Sequence, residues 1–345
     1  MGKQTGRRIG TGMLCVVLLL SAGCSGSAEP CDRKGEIQKK NTAEQEDTKR
    51  SETIQLKQSV QPEFIPNGIR SVSLKKDGKE FLYIANRPAE YKMSFDYWEI
   101  LNPYDENITV NTEVMFKMFE TLCSLSFETP VQIEEGIDTG IQSSNMGFSV
   151  EYVDTMDDSV AQSTDEADTK AEVILGQEDG DGGRYAAIAG NEEQVYILPE
   201  ANLQMVYGGK PFDYILKIPV LISADTLKNI EIKTGSSQYE IQVDATAESY
   251  KFGKKEMSKK EFASLYQAIS GIMLVSETDG EKSEKKKEPE LTVNFRRNIA
   301  EAPDIQVFYY SYDDEYDSVE INGKEWFLVR SEDVKELIEQ IEKAY

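Results

Sequence analysis

The sequence predicts an α+β protein, mainly antiparallel sheets with a few amphipathic helices, carrying a duplicated sheet–helix unit. Three observations predict it. Short runs such as Leu227 to Lys233 and Gln238 to Val243 alternate apolar and polar residues, the period of a strand with one buried face. Other stretches repeat apolar residues at i, i+3, i+4 and i+7, the stripe of a helix with one buried face. Tight turn residues join the strand-like runs, which favours hairpins over the long crossovers of a parallel sheet.

The chain opens with an address. Lys3, Arg7 and Arg8 make a positive start, and Met13 to Leu20 is apolar but too short to span a bilayer as a helix. Leu20–Ser21–Ala22–Gly23–Cys24 follows. It resembles the bacterial lipoprotein signal, in which small residues precede a cysteine that takes a diacylglyceryl group and becomes the mature N-terminus. Residues 1–23 therefore read as a signal peptide and Cys24 as the lipidation site. Residues 24–53 are polar and read as a flexible tether, which cannot bury enough surface to offset ordering. Its root-mean-square reach is roughly 30 Å.

Strands are expected at Ile54 to Val60, Ile69 to Leu74 and Glu80 to Ile84, the last two joined by an Asp77–Gly78 turn. Tyr91 to Leu101 reads as a strand leading to a helix capped by Asn111, with Met115, Met118, Phe119, Leu122 and Leu125 on its buried face. Gly147 to Val153 and Ala171 to Leu175 read as strands. Between them, 154–170 is acidic and aperiodic and is expected to be a mobile surface insertion. Arg184 to Ala189 and Gln194 to Leu198 form a hairpin about Gly190, followed by a short helix from Ala201 to Tyr207. Tyr214 to Ile222 is extended, with Pro219 marking an edge or a bend.

The second half repeats the pattern. After the alternating pair at 227–243, Ser258 and Glu261 form a capping box, and Phe262, Leu265, Tyr266, Ile269 and Ile272 give one apolar face. A charged stretch, 277–290, reads as a second mobile insertion. Strands are expected at Leu291 to Phe295, Ile305 to Tyr312, Ser318 to Ile321 and Glu325 to Val329. Ser331 is expected to cap a last helix with Val334, Leu337, Ile338 and Ile341 inward. Gly–Lys turns at Gly78, Gly253 and Gly323 each precede a short strand or link, which suggests the duplication.

Charge narrows the function classes. The net charge is −24, and removing the three basic residues of 1–23, which contain no acid, makes it −27. Such a surface repels nucleic acid and anionic head groups, so no nucleic-acid partner is expected. The chain has no histidine, the commonest general base and zinc ligand. The Ser283–Lys286 spacing lies inside the charged insertion and reads as no catalytic dyad. Phosphate-binding loops are absent from the sequence. Asp179 and Asp181 beside glycines, and Asp313 to Glu315, read as turns rather than metal loops. No catalytic residue, metal or cofactor is expected, and the protein reads as no enzyme. Alternation across Tyr309, Tyr310 and Tyr312 buries the last two and exposes Tyr309, the candidate ligand-facing aromatic. Cys15 leaves with the signal. Cys31 and Cys123 read as unpaired thiols, Cys123 mostly buried, although an oxidising compartment would permit a disulfide.

Over Trp98 to Val243 the chain resembles the DUF 4340 family, a domain of unknown function found in bacterial envelope lipoproteins. The resemblance rests on WEILNP before the amphipathic helix, on AEVILGQEDGDGGRYAAIAGNEEQVYIL, and on LKNIEIKTGSSQYEIQV. The closing VEINGKEWFLVRSEDVKELIEQI is similar to the family's sheet–helix end. The tyrosine–glycine–leucine–x–x–proline segment common after the family's helix is replaced by Ile137–Asp138–Thr139–Gly140–Ile141–Gln142. The chain reads as a first unit over 54–235, the one that resembles the family, and a second over 236–345 packed on it, and the resemblance implies no catalytic residues. It further implies an accessory or scaffold protein of the cell envelope, beside ABC-type transporter components, on the extracytoplasmic face of the cell membrane. A cell-wall glycan or ligand-binding module is the first alternative, and a carboxylate-based hydrolase the second.

Overall fold

The computed structural model describes residues 55–104, 108–278 and 288–345. The signal, Cys24, Cys31, the tether and most of the 277–290 insertion, with Ser283 and Lys286, lie outside the described residues. Strand β1 (Lys57–Gln58) is followed by β2 (Ile69–Lys76), β3 (Lys79–Asn86) and β4 (Trp98–Asn102). Helix α1 (Thr112–Cys123) leads to β5 (Met146–Tyr152), the short α2 (Asp158–Ser163), β6 (Thr169–Glu178), β7 (Gly183–Ile188), β8 (Asn191–Pro199) and α3 (Glu200–Tyr207). Strands β9 (Leu227–Thr234), β10 (Ser237–Asp244), β11 (Ser249–Phe252) and β12 (Lys255–Met257) precede α4 (Lys259–Ser270). Then come β13 (Leu274–Glu277), β14 (Leu291–Arg297), β15 (Ile305–Ser311), β16 (Tyr316–Ile321), β17 (Lys324–Arg330) and α5 (Ser331–Ala344).

These elements form two sheets, as the α+β expectation required. The first has eight strands, in the order β4-β3-β2-β5-β6-β7-β8, with β1 beside β6. The second has nine, in the order β12-β11-β10-β9-β14-β15-β16-β17-β13. Every pair is antiparallel except β1 with β6.

The two sheets repeat one topology. A meander leads away from a first strand, β2 or β9. A helix, α1 or α4, carries the chain back. A second meander, β5–β8 or β14–β17, starts beside that first strand, and a final helix closes the half. In each half the helix between the meanders packs on the closing helix, α1 with α3 and α4 with α5. Edge strand β13 is an addition with no counterpart in the first half.

The Gly–Lys turns do not mark this repeat. Gly78 joins β2 to β3, Gly253 joins β11 to β12, and Gly323 joins β16 to β17, which are different places in the repeating order. Each glycine has positive φ, so the shared feature is hairpin-turn chemistry. The division expected at 235/236 falls in the turn between the paired strands β9 and β10. The change of sheet comes earlier, between Pro199 and Leu227.

Local signals explain the helices. The Asn111 side chain accepts the Glu113 and Val114 N–H groups at the start of α1, and Phe119 beneath it meets Trp98 edge-on at 5.2 Å between ring centroids. Ser258 and Glu261 form the expected capping box of α4. Ser331 does not cap α5. It is the first helical residue, and its hydroxyl donates to Asp317 Oδ1 at 2.5 Å on the neighbouring strand.

Three other expectations change. Tyr91 to Tyr97 is a loop with a 3-10 turn at Ser94–Asp96, so β4 begins only at Trp98. Tyr214 to Ile222 forms no strand; Ile215 makes a single bridge to Val110. The 154–170 insertion holds α2 and the start of β6, and it is pinned by Arg70. A bulge between Ile69 and Ser71 re-aims Arg70 out of the ladder. Its guanidinium donates to the carbonyls of Thr164, Ala161, Asn67 and Ile69. The acidic composition hid this, because the partner lies far away in sequence.

One apolar core runs through both halves. Tyr104 packs on Phe327 and Trp326, at 5.0 and 5.8 Å, and donates to Glu277 Oε1 at 2.5 Å. Phe212 meets Phe327 at 5.8 Å. A smaller cluster lies on the opposite face of β6–β8, where Ile141 from the 131–145 connection covers Tyr185, Ala187 and Val195.

Candidate functional site

Strand alternation in the second sheet sends Ile230, Ile232, Ile241, Val293 and Phe295 into the core. The same alternation turns Glu231, Glu240, Asn294 and Arg296 to the opposite face. The pairings Ile230–Phe295 and Ile232–Val293 fix this phase between β9 and β14, and Ile241–Ile230 fixes it for β10. The result is a polar face spanning three strands.

Two clefts adjoin on this face. One, of about 650 Å³, is lined by Asn229, Glu231, Glu240, Gln242, Arg296 and Asp304 among others. The second, of about 490 Å³, shares Glu231 and Glu240 and adds Asn294, Gln238, Tyr239 and Tyr345. Arg296 donates to Glu231 at 3.1 Å and to Asp304 at 2.9 Å. Asn229 donates to Glu240 Oε1 at 2.7 Å, and Gln242 donates to Glu240 Oε2 at 3.2 Å. Asn294 Nδ2 donates to Glu231 at 3.4 Å, which leaves Asn294 Oδ1 buried and without a partner. Tyr345 is 62% exposed and sets its ring edge-on to Tyr239 at 5.1 Å.

The Arg296 hydrogen bond holds the Glu231 carboxyl below its usual range. Burial pushes Asp304 up, but the Arg297 N–H and the Arg296 guanidinium outweigh it and leave Asp304 lowered as well. Both are firmly ionised. A general acid for glycoside cleavage needs a raised pKa, so these two carboxylates suit binding better than proton donation.

A second polar cluster lies where the halves meet. Lys92 pairs with the buried Glu99, and the Arg297 guanidinium sits 5.7 Å from the Tyr91 ring. Arg297 donates to Thr226 Oγ1 at 2.7 Å, while its Nε is buried and unpartnered. Burial pushes Asp96 up to about 6, and its Oδ1 is likewise unpartnered. Elsewhere, burial pushes Lys217 down to about 8, with its ammonium over the Phe212 ring.

The residues singled out by sequence fall elsewhere. Tyr309 is 1% exposed and faces the core, so it cannot meet a ligand. The register sets this, because Tyr309 pairs with Leu291 and Val319 on the apolar face. Phe308 and Tyr310 take the opposite face, and Tyr312 lies beyond the strand end. Asp179 Oδ1 accepts the Asp181 and Gly183 N–H groups, and Asp313 Oδ1 accepts those of Glu315 and Tyr316. Both acidic runs are therefore turns, and they occupy equivalent places, β6 to β7 and β15 to β16, in the two halves. Cys123 is a half-buried free thiol, pushed up to about 12 chiefly by burial. Among the described residues no group of His, Cys, Asp and Glu is arranged to hold a metal ion.

Sequence reading missed the groove because its members come from 229–242, 294–304 and Tyr345. Their polar positions were visible as the outward phase of three alternating strands. The 227–243 pair was legible as a hairpin, but nothing local indicated that β14 would lie beside β9. No protein family, curated protein or solved structure matches this chain.

Proposed function

We propose that this chain is a lipid-anchored protein of the extracytoplasmic face of the cell membrane, with an accessory or scaffold role and no catalytic activity of its own. One observation carries the reading: the run Leu20–Ser21–Ala22–Gly23–Cys24 directly after the apolar Met13 to Leu20 and the basic Lys3, Arg7 and Arg8. Cys24 is the residue that takes the lipid, and a single lipidated terminus followed by a polar stretch holds a folded body near the bilayer. No helix among the described residues is long and apolar enough to cross a membrane. The net charge of −24 disfavours flat contact with anionic head groups, so the lipid is the attachment. The resemblance to DUF 4340 lipoproteins supports an envelope setting and a membrane transporter as the kind of partner. The acidic surface supports a partner with a basic face.

Metabolic labelling with a palmitate analogue tests the anchor. Label is expected on the wild type and lost in Cys24→Ala. An unlabelled wild type, or label that survives the substitution, overturns the reading.

A further inference from the structure

We propose that the polar groove on the outer face of β9, β10 and β14 is a binding site for an uncharged oligosaccharide, with Tyr345 as the ring on which a sugar stacks. The proposal does not depend on the lipid anchor, and loss of palmitate labelling would leave it untouched.

The groove differs from the rest of the surface in charge. The chain carries 62 acidic against 38 basic residues. The two clefts together are lined by five basic and four acidic side chains, and the central ones neutralise each other in the Glu231–Arg296–Asp304 chain. A highly charged ligand finds no net complement there. A neutral ligand rich in hydroxyls does, because carboxylates, amides and guanidinium are all present on one wall.

The shapes agree with this chemistry. Sugar recognition needs planar polar groups to bond adjacent hydroxyls and an aromatic face for the apolar side of the ring. Glu231, Glu240, Gln242 and Arg296 supply the planar groups. Tyr345, braced by Tyr239 at 5.1 Å and by Phe252 at 5.3 Å, supplies a half-fixed ring whose open side faces solvent. Asn294 Oδ1 is the independent sign of a ligand. It is an acceptor with no donor, buried beneath the same wall, and a turn of the Asn294 side chain towards the groove would let a sugar hydroxyl satisfy it. The adjoining clefts, about 650 and 490 Å³, give room for more than one sugar ring.

The outer face of the first sheet is covered by its own chain at one end, over β6–β8. There Ile141 and its neighbours from the 131–145 connection pack over Tyr185, Ala187 and Val195. The strands of the first sheet that correspond to β9, β10 and β14 are β2, β3 and β5, and this cluster does not reach them.

The test is titration of the full chain, purified in detergent, with chitohexaose and separately with cellohexaose, followed by calorimetry and by amide shifts. Binding of either, with shifts centred on 229–242 and 294–296, is expected. Tyr345→Ala and Asn294→Ala should each weaken it by about tenfold or more, and Glu240→Gln, an exposed change with little risk to folding, should weaken it less. Raising the salt from 50 to 500 mM should leave the affinity within about twofold, since the ligand is uncharged. The proposal is overturned if neither sugar binds at millimolar concentration, or if the shifts map elsewhere. It is also overturned if only a phosphate-bearing wall polymer binds and salt abolishes that binding.

Discussion

Replacing Arg70 by alanine should release the connection between β5 and β6 while leaving both sheets intact. Helix α2 has only six residues and buries only Ala161, so it cannot persist through its own hydrogen bonds. Arg70 holds it from the C-terminal end. Its Nε and Nη2 reach the Thr164 carbonyl, Nη2 also reaches Ala161, and Nη1 is fixed by Asn67 and Ile69 at 2.9 and 2.8 Å. A cation at that end also complements the helix dipole. A hydrogen bond to a charged group is worth about 1.5–3 kcal/mol net. Two carbonyls of the insertion depend on Arg70, but the side chain is only half-buried, so about 2–3 kcal/mol is the reasonable figure for local opening. That makes the open form roughly 30- to 150-fold more populated. Hydrogen exchange at the Val160 and Ala161 amides should accelerate by that factor, with β5 and β6 amides unchanged. Arg70→Lys keeps the charge but loses the fork, and should fall between. Equal exchange in wild type and Arg70→Ala would refute the account.

Two other outcomes are expected. Phe119→Asp places an unpaired charge against Trp98 in a fully buried site, and should cost about 3–5 kcal/mol in urea unfolding; an unchanged midpoint would mean that α1 packs by another face. Asp96 has its folded-state pKa raised to about 6, mainly by burial. Its ionised form is therefore disfavoured in the fold: the cost is full above about pH 6 and is relieved as pH falls towards the unfolded value near 4. Wild type should gain stability relative to Asp96→Asn over that interval, and parallel pH profiles would count against the assignment.

How much the sequence revealed depended on range. Asn111 before α1 and the Ser258–Glu261 box before α4 act within a few residues, so residue types alone located both helix starts. Strands with several alternations, such as β5 and β9, were equally visible. The short β11, β12 and β13 were not, because three or four residues carry no period and acquire their identity from a partner. Tyr309 shows the same limit in another form. Within IQVFYYSY either phase is chemically acceptable, and the choice is made by β14 and β16 on either side. Ser331 and Arg70 are set likewise by distant groups, a buried Asp317 and the end of α2. The groove depends on such non-local pairing where β14 joins β9.

The strand order also constrains the time course of folding. Each sheet is joined at its centre by strands that lie far apart along the chain, β2 with β5 and β9 with β14. A chain made from its N-terminus delivers β2, β3 and β4 well before β5 arrives, and the open side of β2 must wait. Edge strand β13 must wait too, since its sheet partner β17 is the last strand to emerge. Closing such long loops is entropically slow, and an unpaired strand edge invites foreign pairing in the interval. The folding protein thus has its most exposed moment late, with four strands of the second sheet formed and β14 to β17 still to come, which is when a chaperone would gain most from holding it.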